Sequence, residues 1–221
     1  QAPNEILRTP AVPSNLTPEK LKKIISEMTK TLLAQKDPEG VGLAANQVGL
    51  PYQIFLARFT TKKSEPVRVF INPKIIDHSE EIQEETKNSP LEGCLSVPKY
   101  YGVVKRWKWV KMEYQAPPSS WSHAVRHPGA SETSDRIYPG KKILSPFGLQ
   151  NDAGVSLQHD DEILETRTET FEGFPAVVIQ HEMDHLNGKI FVERILEQNG
   201  QMYKVTGKDK KGKEKWEEVE L

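Results

Sequence analysis

One short motif in this sequence has the residue types and the spacing of a metal-binding helix. His181 and His185 are four residues apart, with Glu182 between them in the pattern H-E-x-x-H. On an α-helix, four residues advance by one turn plus about 40°, so both imidazoles leave the same face and can bind one metal ion. From beside them, Glu182 can act as a general base without binding the metal. The alternative is a solvated charged helix that carries the motif by chance.

The single cysteine offers a third ligand. Catalytic metal sites of this type usually have three protein ligands and one open position. No histidine follows His185, whereas Cys94 lies upstream in the segment LEGCLS. A thiolate and two imidazoles would complete the ligand set, so one assignment accounts for both the lone cysteine and the motif. The alternative for a lone cysteine is a small buried hydrophobic residue.

The amino-acid composition argues against several classes of function. Thirty basic and 31 acidic residues give a net charge of -1 over 221 residues, so the whole molecule has no attraction for DNA or for a membrane surface. One cysteine cannot form an intrachain disulfide, which excludes a disulfide-rich secreted domain. No apolar run approaches the roughly 20 residues that span a bilayer, and we expect no signal peptide in this chain.

Two helices and several short strands must position the chemistry. The first helix is predicted to begin after Thr17, and the second, which carries the histidines, to run from Pro175 to Gly188. On the second helix, Val177 and Val178 precede His181 by four and three residues, so they form either an apolar wall beside the metal or ordinary core. β-rich runs at 52–57, 67–71 and 103–114 predict antiparallel strands. The fold class is therefore α+β, with short antiparallel sheets around the central H-E-x-x-H helix.

The chain is predicted to be one domain with two polar additions. Residues 1–203 form the catalytic domain. It contains a surface insertion at about 115–168, and 14 of the 36 residues from 115 to 150 are Pro, Gly or Ser. Residues 204–221 form a polar tail rich in Lys and Glu.

Three segments resemble, in content and order, the motifs of the peptide deformylases. They are GVGLAANQ at 40–47, EGCLS at 92–96 and HEMDH at 181–185. The resemblance extends from about residue 5 to residue 196 and is interrupted by the insertion. It implies a deformylase-like fold and a metal-dependent hydrolase that removes the formyl group from the N-terminal formylmethionine of new polypeptides, with release of formate.

The resemblance also implies roles for individual residues. Cys94, His181 and His185 would bind the metal, and Glu182 would move the proton. The Gln47 amide and the Leu95 backbone N–H would stabilise the oxyanion. Val41 would line the methionine pocket, and Gly42 would allow the substrate backbone to approach closely.

Cofactor, partners and compartment follow from the same resemblance. One divalent ion per chain is expected, Fe²⁺ in the cell, with Zn²⁺, Ni²⁺ or Co²⁺ able to replace it. The ligand types alone do not choose between iron and zinc. The substrates would be N-formylmethionyl nascent peptides, and the lysines of the tail could contact ribosomal RNA. We expect a monomer in the bacterial cytoplasm or in an organelle.

Two other functions stay open from the residues. A metalloprotease or general amidase could use the same helix with a different third ligand. A binding module that lost catalysis could retain a structural metal, and it would have a closed four-ligand site.

Overall fold

The computed structural model describes residues 4–36, 39–60, 65–83, 91–124 and 164–220. Within these ranges the chain forms three α-helices and nine strands. The helices are α1 (Pro18–Ala34), α2 (Phe174–Leu186) and α3 (Phe191–Glu197). The strands are β1 (Gly42–Ala44), β2 (Ile54–Ala57), β3 (Arg68–His78), β4 (Glu92–Cys94), β5 (Val97–Gly102), β6 (Trp109–Ala116), β7 (Glu165–Glu172), β8 (Met202–Lys208) and β9 (Glu214–Val219).

The strands form two antiparallel sheets, which confirms the predicted α+β class. The larger sheet has the order β1-β2-β3-β6-β7, and the smaller has the order β4-β5-β8-β9. Successive side chains of a strand point to opposite faces. In β2, Ile54 and Leu56 therefore pack with α1 residues on one face, while Phe55 and Ala57 pack with α2 residues on the other. Because both faces of β2 are covered, all four of its residues are buried apolar ones.

Helix α1 begins at Pro18, as predicted, and turns its apolar stripe to the large sheet. Leu21, Ile25, Met28 and Leu32 are each at most 2% exposed. Burying a side chain of this size stabilises the fold by about 1.5–3 kcal/mol, so this stripe anchors the helix.

Helix α2 carries the H-E-x-x-H motif and has the glycine and proline signals expected at its ends. Pro175 lies in the first turn, where a missing N–H costs no helical hydrogen bond. Gly188 follows the helix with φ +71°, and a Cβ there would lie 2.7 Å from the backbone oxygen of Arg8. The helix therefore ends where the chain must turn sharply beneath the N-terminal segment.

Strands β6 and β7 extend into the two ends of the segment that was predicted to be an insertion, at about 115–168. Strand β6 continues to Ala116, and β7 begins at Glu165 and pairs with it along its whole length. Trp121 is 2% exposed and packs among the residues of the α1 core. Composition predicted little regular structure here, but the partner strand, distant in sequence, determines the pairing. Residues 125–163 lie outside the described part of the chain.

The predicted tail at 204–221 is largely a hairpin. Strand β8 pairs with β5 on one side and with β9 on the other. Met202 and Val219 pack against α3 residues, so the hairpin has a buried face despite its polar sequence. Among the described residues, no helix is long and apolar enough to cross a bilayer. The division into one catalytic domain with additions stays a prediction.

Candidate metal centre

A cleft between the two sheets brings the three motifs together. Its cavity of about 200 Å³ is lined by residues of α2, of β4 and of the segment around β1. Ten residues were predicted to have a role, and all of them except the buried His185 line this cavity: Val41, Gly42, Gln47, Cys94, Leu95, Val177, Val178, His181 and Glu182.

Three potential metal ligands converge at the base of the cleft. The ligand atoms of Cys94, His181 and His185 all lie within 4.8 Å of one another. Cys94 Sγ is 3.1 Å from His185 Nε2. Burial raises the pKa of the Cys94 thiol, but the charge of His185 and hydrogen bonds from both imidazoles outweigh it and hold the pKa well below its usual value. The site therefore favours the thiolate, which is the form that binds metals.

Glu182 lies beside this cluster as a buried carboxyl group. It is 3% exposed, and its Oε2 atom has no hydrogen-bond partner among the described residues. Burial, the largest cause, raises the pKa of Glu182 to about 7. A carboxyl group with a pKa near neutrality can both accept and return a proton at physiological pH.

The structure gives Gly42 a different neighbour from the one expected. A Cβ atom on Gly42 would lie 2.0 Å from Oε1 of Glu182, which no real Cβ can do. The glycine thus makes room for the Glu182 carboxylate. The expected close approach of the substrate backbone to Gly42 stays a prediction.

Gln47 points its amide at the cysteine loop. Its Oε1 atom accepts a hydrogen bond from the Ala44 backbone N–H at 2.8 Å, which fixes the side chain. Its Nε2 atom donates to Ser96 Oγ at 3.0 Å and lies 3.5 Å from Cys94 Sγ. The amide N–H groups of Gln47 therefore face the edge of the cavity where the potential metal ligands converge.

A buried charge network holds the ligand helix from behind. Arg106 donates to both oxygens of Glu92, at 2.7 and 2.8 Å, and to Asp184 at 2.6 Å. Glu92 in turn accepts from Nδ1 of His181 at 3.0 Å. Burial raises the pKa of Glu92, but Arg106 outweighs it and lowers the pKa to about 2. The network fixes the ring of His181 in the way that outer carboxylates orient metal-binding histidines.

The sequence did not assign this network. Glu92 stands two residues before Cys94 within a recognised motif, and that proximity was the available signal. Arg106 carried no local signal, because its partners are distant in the chain. Tyr101 and Phe174 also line the cleft and were missed, although Phe174 is one helical turn before Val177.

Comparisons with known proteins agree over most of the chain. The family model described as polypeptide deformylase matches residues 1–125 and 152–201. The peptide deformylase of Neisseria meningitidis is 32% identical over 195 residues, covering 88% of this chain and 84% of the relative.

Solved structures agree as well. The Thermotoga maritima peptide deformylase has a TM-score of 0.57 at 27% identity, over 86% of this chain and 91% of that one. The Acinetobacter baumannii enzyme bound to Met-Ala-Ser has a TM-score of 0.60 at 27% identity, over 88% and 95%. The chain therefore belongs to the peptide deformylases, metal-dependent hydrolases that remove the N-formyl group from the formylmethionine of newly synthesised polypeptides.

Proposed function

We propose that this chain carries out deformylation in the cleft, with Cys94, His181 and His185 holding one divalent metal ion. The convergence of their three ligand atoms within 4.8 Å carries the proposal. Two imidazoles and a thiolate are a three-ligand set that leaves a position open for water or substrate. The unpartnered Oε2 of Glu182 fits such a site, since a buried carboxylate oxygen needs a proton or a polar partner there.

Fe²⁺ is the ion we propose for the cell, with Zn²⁺, Ni²⁺ or Co²⁺ as replacements. A divalent ion bound there would polarise the formyl carbonyl and make water a stronger nucleophile at neutral pH. The family resemblance supports iron, whereas the donor types alone allow both iron and zinc.

Glu182 is the proposed general base and acid. As a carboxylate it takes the proton of the attacking water, and as a carboxylic acid it delivers that proton to the departing amine of methionine. Its pKa of about 7 lets both forms be populated near neutrality. Gln47 Nε2 and the Leu95 backbone N–H are proposed to donate to the oxyanion that forms on the former formyl carbonyl.

The apolar part of the cleft is proposed to hold the methionine. Val41, Val177 and Val178 would form its wall, and Gly42 lines the same cavity. The relative bound to Met-Ala-Ser supports this assignment, since that tripeptide begins with the residue that a deformylase exposes.

Cys94→Ser tests the ligand set and separates the alternative activities. The proposal expects the variant to lose bound metal and to stop releasing formate from a formyl-Met tripeptide. A metalloprotease or amidase with another third ligand would retain its metal and its activity. A binding module would hold metal in the wild-type protein and release no formate.

The hairpin lysines give a proposed contact with the ribosome. Lys210, Lys211 and Lys213 lie at the turn between β8 and β9, where they can approach phosphates. Changing all three to Glu should lower co-sedimentation with ribosomes at low salt. Unchanged co-sedimentation would contradict the contact.

We further propose that the enzyme acts as a monomer, because one chain supplies every residue of the cleft. It would act where formylated chains are made, in the bacterial cytoplasm or in an organelle. Sedimentation equilibrium of the loaded enzyme tests the first statement.

A further inference from the structure

The wall of the cleft continues onto the smaller sheet. Tyr101 of β5 lines the cleft and lies opposite Gly93 of β4. A Cβ on Gly93 would be 2.5 Å from Cε1 of Tyr101, so the tyrosine ring lies directly on the glycine backbone. Tyr101 therefore lines the cleft from a strand that pairs with β8, the next strand of the same sheet.

Strand register places further apolar side chains on the same face. Tyr203 pairs with Tyr101, and Val205 pairs with Trp216. Residues two apart along a strand share a face, so the face of Tyr203 is also the face of Val205. We name these side chains the aromatic strip: Tyr101, Tyr203, Val205 and Trp216.

The opposite face of this sheet is covered by α3 at one row of residues. Met202 and Val219 lie on the covered face and pack with Ile195 of α3. A Cβ on Gly102, in the same row, would lie 2.2 Å from Ile195 Cδ1. The strip lies on the face away from α3, where Tyr101, Tyr203 and Val205 are partly exposed and Trp216 is exposed.

Trp216 extends the strip away from the cleft. Its ring centroid lies 5.0 Å from that of Tyr101 at an interplanar angle of 65°. The side chain is nevertheless 42% exposed, so the contact with Tyr101 leaves much of the indole free for a ligand. An extended peptide advances about 3.3 Å per residue, so one or two residues beyond Tyr101 would reach Trp216.

We propose that the aromatic strip binds the part of the formylated chain that follows its N-terminal methionine. The inference rests on the proposed function, because it requires the methionine to sit in the cleft. The aromatic strip is continuous with the cleft through Tyr101. We therefore infer that the substrate chain, and not another partner, occupies the strip. Aromatic side chains offer a large apolar contact area to many kinds of side chain, which suits an enzyme whose substrates share only their first residue.

The test compares short and long substrates of the metal-loaded enzyme. Trp216→Ala should lower kcat/KM about tenfold for a formyl-Met peptide of about eight residues with apolar side chains, which corresponds to about 1.4 kcal/mol, the scale of one aromatic contact. For formyl-Met-Ala, kcat/KM should stay within about twofold. Trp216→Leu should lose less than Trp216→Ala. Glu217→Ala, one residue away on the other face, should leave both substrates unaffected.

Three results would overturn the strip. The first is a long-substrate kcat/KM that Trp216→Ala leaves unchanged. The second is an equal loss for both substrates. The third is a wild-type dimer that Trp216→Ala dissociates, which would give this face to a second copy. If Trp216→Ala loses the cooperative unfolding of the wild-type protein, Tyr203→Ser takes its place in the comparison. Failure of the wild-type enzyme to deformylate even the short peptide would contradict the proposed function instead.

Discussion

The buried polar groups on the two sides of helix α2 differ in whether they have hydrogen-bond partners. On the cleft side, Glu182 Oε2 and His185 Nδ1 have no hydrogen-bond partner among the described residues. On the other side, Asp184 accepts from Arg106 and from Arg194, both at close range. Unpartnered buried polar groups cost stability, whereas satisfied networks hold their members rigidly. The hydrogen bonds of Asp184 hold the helix in place, so Glu182 and His185 on its other side can remain without protein partners and available for reaction.

The largest effect is expected from breaking the satisfied side. Arg106→Ala leaves the Glu92 and Asp184 carboxylates buried without their shared partner, and removing one partner of such a buried pair costs about 3–5 kcal/mol. Urea unfolding should show this loss, and metal affinity should fall because His181 is no longer held through Glu92. Lys108→Ala breaks a solvent-exposed pair with Glu81 and should change stability little. If Arg106→Ala unfolds at the same urea concentration as the wild-type protein, the network does not stabilise the fold as proposed.

The next effect concerns catalysis on the cleft side. Gln47→Ala should lower kcat by about 10²–10³-fold, the usual cost of removing one oxyanion donor, with little change in unfolding midpoint. Gln53→Ala is the matched control, since its amide donates to Ala11 O outside the cleft. A small change in kcat with a large change in KM would instead assign Gln47 to ground-state binding.

The unpartnered carboxyl should itself destabilise the metal-free protein at high pH. Burial raises the pKa of Glu182 to about 7 in the folded state, above the ordinary 4.5, so the folded protein is favoured below about pH 4.5 and loses that advantage as pH rises through 7. Glu182→Gln cannot ionise. At about pH 8 it should exceed the wild-type free energy of unfolding by roughly 2–4 kcal/mol. The difference should vanish near pH 4. A difference independent of pH would rule out this cause.

A smaller effect is expected at the contact between Gly42 and Glu182. The Cβ of Gly42→Ala would displace the Glu182 carboxylate, and a misplacement of about 1 Å can cost up to about 10²-fold in kcat. The loss should disappear when Gly42→Ala is combined with Glu182→Ala, because the displaced group is already gone. Gly40→Ala is the control, because its Cβ would meet Leu32 and not Glu182. It should lower the free energy of unfolding, and its effect should add to that of Glu182→Ala. Additive effects of Gly42→Ala and Glu182→Ala would refute the contact's role.

Local signals were enough to predict α1, α2 and the motif on α2, whereas the short helix α3 was not predicted. Helix α2 has a proline in its first turn and a glycine after its end, and both act within a few residues. Strand β7 and the β8–β9 hairpin were missed, because their sequences are polar and only pairing with distant strands orders them. The same limit hid the link from Arg106 to Glu92 and Asp184. Residue types can identify reactive groups, but the groups that hold them are found only after the chain has folded.

Formate release is the measurement that tests the central claim most directly. Protein purified without oxygen and loaded with Fe²⁺ or Ni²⁺ should bind one ion per chain and release formate from a formyl-Met tripeptide. Glu182→Ala should bind the same amount of metal and release formate at least about 10²-fold more slowly, as expected for loss of a general base. Wild-type protein with one ion per chain and no formate release, or full activity in Glu182→Ala, would contradict the account.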